Sequence, residues 1–384
     1  MSQRRTFWMA VATPAMAGVG AWAIFGPTFA TAAPKVLQRP SPPVAERRNP
    51  PPVRTPPKPP TQLRVRAVGD VMLGTLVPAG HLAEDDAAGL LQPVTTWLRD
   101  ADVTFANLEG PLCDEGITTK CGPSSTACYA FRSPERYALH LQAAGIDVVS
   151  TANNHSGDYG EACRRTTETT LDASGIAWSG PPGTVATVDV QGARVAVVAF
   201  HANPECNNLN DPAAAARLVA QAAATHTWTL VSFHGGAEGS DRTHVPDEME
   251  WFHGEARGHL RAFARTVIEA GADLVVGHGP HVPRGLESVN GHLVAYSLGN
   301  FATWREFNLS GPLGLAPVLD VTLDVEGRWT EGQILSARQS GDGGPVPDPT
   351  GTAAALMAKL SAQDFGPTAP RFAADGRISP PPTP

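Results

Sequence analysis

From Leu63 onward the chain repeats one unit: an apolar run of strand length that stops at a polar side chain able to bind a ligand. "LRVRAVGD" stops at Asp70, "DVTFANLE" at Glu109, "IDVVSTANNH" at Asn154 and His155, "WTLVSFH" at His234, and "ADLVVGHGPH" at His278 and His281. Between these runs lie segments with helical periodicity, so apolar strands alternate with amphipathic helices. That alternation restricts the chain to an α/β domain. The helices are expected at "DAAGLLQPVTTWLRDA", at "SPERYALHLQAAG" with Ser133 as N-cap and Gly145 as stop, and at "GEACRRTTETTLDASG". Two more are expected around 212–225 and over "GEARGHLRAFARTVIEAG", and a hairpin is expected to turn at Gln191-Gly192.

Taken singly, each strand end has an ordinary explanation. Asp70 would cap a turn, Glu109 before Gly110-Pro111 would be a loop acid, and a lone histidine is usually structural. The set is harder to explain that way, because ligand sites in α/β sheets gather beyond the carboxyl ends of strands. Two carboxylates, a carboxamide and imidazoles from three strand ends form a mixed N/O donor set for divalent ions, with Mn(II), Fe(II) and Zn(II) all compatible. Two such ions against two carboxylates leave positive charge for an anionic substrate to neutralise.

Charge distribution supports the same economy. Residues 1–66 carry ten Lys/Arg and one acid, whereas the rest carries nineteen Lys/Arg and thirty-six acids, a net charge of −17. A domain so acidic is not a general nucleic-acid binder. An anionic substrate would therefore need a local positive focus.

The N-terminus follows different rules. "MSQRR" precedes the almost uncharged "FWMAVATPAMAGVGAWAIFGPTFA", so 1–33 is expected to be an export signal or a retained membrane anchor. Eleven prolines fall between Pro34 and Pro60, which makes 34–62 a basic, extended linker. The folded domain is then expected over 63–345, with 346–384 a peripheral tail carrying a short helix. Export would let the cysteines pair. Three of the five (Cys113, Cys121, Cys128) share one loop, Cys163 and Cys206 lie beyond it, and the odd number leaves one thiol over.

The ordered motifs "GDVMLG", "NLEGPL", "ANNHSGDYG", "SFHGGAE", "GHGPHV" and "YSLGNF" resemble the CapA family of capsule and poly-γ-glutamate biosynthesis proteins, over roughly residues 63–340. That family is similar to the calcineurin-like metallophosphoesterases, which implies a two-sheet β-sandwich flanked by helices. The resemblance implies that Asp70 and Glu109 hold the metals, Glu109 in a bridging position. Asn154, His234 and His278 would serve the second ion and His281 the first. His155 would contact substrate without binding metal, and Asp158 would orient it and keep the ring protonated near neutrality.

Three features depart from the pattern. Met72 stands where a phosphoesterase has a histidine, Gly235 stands where the family usually has tryptophan, and the loop 113–128 is an addition. The expected function is an envelope-anchored, metal-dependent hydrolase or transferase acting on an anionic polymer such as poly-γ-glutamate, alongside membrane synthase or export subunits. The alternatives are a non-catalytic polymer-binding subunit and a metal-assisted peptide epimerase.

Overall fold

The computed structural model describes residues 60–382 except 119 and 122–127. The expected signal or anchor, and the linker up to residue 59, lie outside the described residues. Among the described residues no helix is long and apolar enough to cross a membrane.

Two sheets face each other, as expected. The first has nine strands, ordered Arg371–Phe372, Arg377–Ser379, Trp329–Leu335, Val318–Asp324, Gln62–Met72, Val103–Leu108, Val148–Ser150 and Ala177–Ser179, with Asn300–Thr303 beside the end of Gln62–Met72. The second has seven. Its path runs Leu286–Val289, His292–Ala295, Leu274–His278, Trp228–His234, Ala193–His201, Ala186–Val190, and Asn207–Asn208 pairs with its Ala193–His201 strand. The strands that end in polar residues run parallel within each sheet.

Strand alternation divides the apolar side chains into three layers. Val65, Ala67, Phe105 and Val148 of the first sheet meet Val195, Val197, Leu230 and Val276 of the second to form the inner core. The other face of the first sheet (Val68, Val71, Ala106) packs on Leu141 and Leu171 of helices Ala138–Ala144 and Gly160–Ala173. Val198, Val231 and Phe233 of the second sheet pack on Val219, Phe263 and Val267 of helices Pro212–Ala223 and Leu260–Glu269. Each fully buried side chain of this kind contributes about 1.5–3 kcal/mol, so both sheets are pinned on both faces.

Several local expectations hold and others fail for identifiable reasons. Gly145 ends its helix at φ 92°, and Gln191 and Gly192 make the hairpin turn at φ 53° and 88°. The helix expected before residue 101 is only the 3₁₀ turn Gln92–Val94 and the single turn Thr95–Leu98, because Pro93 removes a backbone donor and permits only a fresh start. Ser133 does not cap its helix, since its hydroxyl donates instead to the Gly74 carbonyl. In "GEARGHLRAF" the first half pairs as strand Glu255–Gly258 and only Leu260 begins the helix.

The segment after 346, expected to be peripheral, closes one edge of the sandwich. Its helix Thr352–Phe365 puts Ala354 and Met357 into the inner core, and the Ser361 hydroxyl accepts the Leu286 N–H at 2.8 Å. Its last strands extend the first sheet. Two disulfides join Cys113 to Cys163 and Cys121 to Cys128, leaving Cys206 as the buried free thiol.

Candidate metal centre and active site

Register brings the polar strand ends together. Asp70 stands opposite both Asn107 and Asn300 in the first sheet. In the second sheet His201, His234 and His278 lie side by side on neighbouring parallel strands. The two sheets therefore present carboxylates and carboxamides from one side and imidazoles from the other at the same end of the sandwich.

The centre is buried and short of partners. One ligand atom each from Asp70, Glu109 and His234 lies within 4.8 Å of the others, and all three residues are buried. Asp70 accepts from Asn107 Nδ2 at 2.8 Å and sits 2.9 Å from His281 Nδ1 and 3.4 Å from His278 Nδ1. Glu109 accepts from the same Asn107 amide at 2.6 Å, with His234 Nδ1 at 3.4 Å and His155 Nε2 at 3.9 Å. Glu109 Oε1, His234 Nε2, both ring nitrogens of His278 and Asn154 Oδ1 are buried with no partner among the described residues. His281 holds its place at φ 61°, a conformation few non-glycine residues adopt.

Electrostatics divide these groups. Burial would raise Asp70, but the adjacent imidazoles of His278 and His281 outweigh it and hold the carboxyl below its ordinary range. Burial, then the charge of Asp70, pushes Glu109 well above its usual value. Burial pulls His281 down, yet the hydrogen bond and charge of Asp70 overcome it and place the ring at about 9. His234 is driven well below its ordinary value, first by burial. A neutral imidazole and two carboxylates, with lone pairs left over on several atoms, form a donor set that fits a divalent cation.

Beside this centre lies a second, non-identical pair. His155 Nδ1 donates to Asp158 Oδ2 at 2.7 Å, and Phe131 stacks on the ring at 4.2 Å between centroids. The Phe131 N–H also bonds that carboxylate oxygen, and Lys120 pairs with the other. Asp158 thus holds one ring nitrogen, while the balance of the ring's surroundings disfavours its charged form. Burial lowers the His155 pKa, and Lys120 both shares the Asp158 charge and adds its own repulsion. The ring is neutral near neutrality, with Nε2 bare and turned toward Glu109. Asn154 is half-buried beside it, its backbone oxygen held by Lys120 at 3.2 Å; no hydrogen bond joins its side chain to the cluster among the described residues.

Four residues near the centre were not singled out from the sequence. Asn107 bonds both carboxylates and is itself held through its Oδ1 by Asn153 at 3.2 Å. Glu238 brings a third carboxylate 3.8 Å from His281 Nε2, and Arg257 pairs with it at 3.0 Å. His201 stands edge-on to His234, 5.4 Å between centroids, and is brought down to about 3, first by burial and then by Arg257. The signal for His201 was present, since "VVAFH" ends as "LVSFH" does. Met72, at the missing histidine's position, is fully buried.

The family model described as bacterial capsule synthesis protein PGA_cap matches residues 64–304, well over half of the chain. The chain belongs to this family. PGA_cap relatives include the PGA biosynthesis protein CapA of Bacillus subtilis, 25% identical over 251 residues, and the capsule biosynthesis protein CapA of Bacillus anthracis, 25% identical over 263. Those alignments cover 61% and 62% of this chain and 61% and 59% of the relatives, so the chain matches less than two thirds of their length. Among solved structures, a 5′-nucleotidase precursor from Thermus thermophilus overlaps 79% of this chain and 58% of its own, at 14% identity and a TM-score of 0.41. A purple acid phosphatase from yellow lupin overlaps 74% and 54%, at 10% identity and a TM-score of 0.34.

Proposed function

We propose that this PGA_cap protein is a metal-dependent hydrolase or transferase that acts on an anionic polymer of the poly-γ-glutamate kind, on the outer side of the cell envelope. The observation that carries the reading is the pairing of two unlike devices. A buried cluster of Asp70, Glu109 and His234 has lone pairs to spare. An oriented, neutral histidine faces it.

Asp70, Glu109, His234, His278 and His281 would hold one or two divalent ions, with Asn154 and Glu238 offering further oxygens. When bound, the ion supplies Lewis acidity and local positive charge. The chain's own groups do the rest. His155 takes a proton at Nε2 and returns it to the leaving group, while Asp158 holds Nδ1–H and stabilises the imidazolium that forms. Phe131, stacked on the ring, keeps water off the dyad. Asn107 tethers both carboxylates through one amide nitrogen. The relatives' names place two of them in capsule or PGA biosynthesis, and the strongly basic segment 1–66 suits attachment at an anionic surface.

The test is incubation of the metal-loaded protein with poly-γ-glutamate, following chain length by size-exclusion chromatography and new amino ends by derivatisation. Shortening or transfer supports the reading. Binding without turnover supports a polymer-binding subunit, and a change of stereochemistry without cleavage supports an epimerase.

A further inference from the structure

We propose that Arg257 and His201 form a carboxylate-binding subsite at the edge of the metal cluster, the contact by which this chain recognises an acidic group of its substrate. The inference rests on the anionic-substrate reading above and adds the residues that recognise the anion.

His201 is fully buried at the end of its strand, in register with His234. Its Nδ1 accepts the Asn203 backbone N–H at 3.0 Å, so in the neutral ring the proton sits on Nε2. With the Nδ1 lone pair already used, the ring offers an N–H donor and not a metal ligand. That Nε2 has no partner among the described residues.

Arg257 is 4% exposed and makes two of its three possible sets of contacts. Nη2 pairs with Glu238 Oε1 at 3.0 Å, and Nε donates to Glu255 Oε2 at 2.8 Å. Nη1 is buried and without a partner among the described residues. Through Glu238, which reaches to 3.8 Å from His281, the guanidinium is tied to the cluster itself.

The backbone is tightly packed where the segments carrying the two donors meet the end of the His234 strand. Gly235 follows His234 directly, and a Cβ there would stand 2.6 Å from Leu209 Cδ2 and 2.7 Å from the Arg257 carbonyl. Gly236 N–H donates to that carbonyl at 2.8 Å, and Leu209 N–H donates to the His201 carbonyl at 3.0 Å. The segments carrying both donors therefore close over Gly235, where a side chain would not fit.

Donor count and charge select the ligand. One free guanidinium nitrogen, Nη1, and one imidazole N–H supply one donor to each of the two oxygens of a single carboxylate. A neutral amide offers one acceptor oxygen and leaves a buried donor unpaired. The extra oxygens and charge of a phosphate would face Glu238 and Glu255.

The test uses the purified full chain and two probes: a γ-glutamyl oligomer with free α-carboxylates and the same oligomer with α-amides. Calorimetry should show wild type preferring the carboxylate form by about tenfold or more, the discrimination expected of buried hydrogen bonds to a charged group. Arg257→Gln and His201→Phe should each abolish most of that preference while far-UV circular dichroism stays unchanged. If Arg257→Gln fails to fold, His201→Phe decides, because phenylalanine keeps the edge-on packing and loses only the ring nitrogens. Retained preference in a folded variant overturns the subsite, as does a wild type that prefers neither probe and binds no other carboxylate. If wild type instead binds an α-linked acidic peptide and Arg257→Gln loses it, the subsite stands and the poly-γ-glutamate reading falls.

Discussion

Gly235→Ala adds one methyl group at the junction of the cluster and its flanking strand, and its effect follows from distances alone. The backbone there is not left-handed, so alanine carries no conformational penalty. The new Cβ would lie 2.7 Å from the Arg257 carbonyl, 2.6 Å from Leu209 Cδ2 and 3.1 Å from Leu260 Cδ2, where ordinary contact begins at 3.4 Å. Leucine methyls can rotate away, but the carbonyl belongs to strand Glu255–Gly258 and accepts the Gly236 N–H. Relief thus requires the strand to shift by about 0.7 Å. Overpacking of that kind costs about 1–3 kcal/mol, which for a domain of this size lowers Tm by about 2–4 °C. Gly157→Ala is the control, since an added Cβ there meets nothing within 4 Å. Thermal melting of the two variants should separate them by that margin, with Gly157→Ala at wild-type stability. If Gly235→Ala melts at or above wild type, the Arg257 strand does not press on Gly235 and the packing argument is wrong.

Further tests reach other parts of the molecule. Burial, opposed by the Thr229 N–H bond and aided by Asp324, raises the Asp273 carboxyl to about 7. The folded protein therefore keeps this proton at pH 5–6, where the unfolded chain, with an ordinary value of about 3.9, has released it. Stability should fall as pH rises from about 4 to 7, by up to about 4 kcal/mol, and be flat above. Asp273→Asn, which keeps an acceptor for Thr229, should remove that slope in urea titrations at pH 5 and 7.5; an unchanged slope assigns the pH dependence elsewhere. The Cys113–Cys163 bridge closes a separation of 50 residues, so replacing both by alanine should cost about 4 kcal/mol in the chain-entropy picture. A loss below about 1 kcal/mol by urea unfolding would mean that the loop is already held without it.

How much was legible depended on whether a signal was local. Alternation marked the strands because every second side chain enters one core, as with Val65 and Ala67. The strand-end residues were legible for the same reason, since a polar group that stops an apolar run is conspicuous. Asn107 was hidden inside its strand, conspicuous only once Asp70 and Glu109 were seen to share its amide. Arg257 gave no local signal, because it lies in a stretch with helical composition that tertiary pairing turns into a strand. The lowering of the His155 pKa was not legible because it comes first from burial, a property of the whole fold, with a smaller contribution from Lys120, 35 residues away. Helix Thr352–Phe365 looked dispensable because it is short and follows a Gly/Pro-rich stretch, yet Met357 fills the inner core.

The most direct measurement is metal content by inductively coupled plasma mass spectrometry on the purified full chain, compared among wild type, His234→Ala and His155→Ala after loading with Mn(II) and desalting. Wild type and His155→Ala should carry the same amount of metal, and His234→Ala should carry markedly less, because His234 offers a buried lone pair to the cluster whereas His155 spends its Nδ1 on Asp158. With poly-γ-glutamate as substrate, turnover should fall in both variants, by about 10²–10⁴ for His155→Ala. A wild type that retains no divalent metal, or equal metal loss in the two variants, would contradict a metal centre flanked by a separate proton-handling histidine.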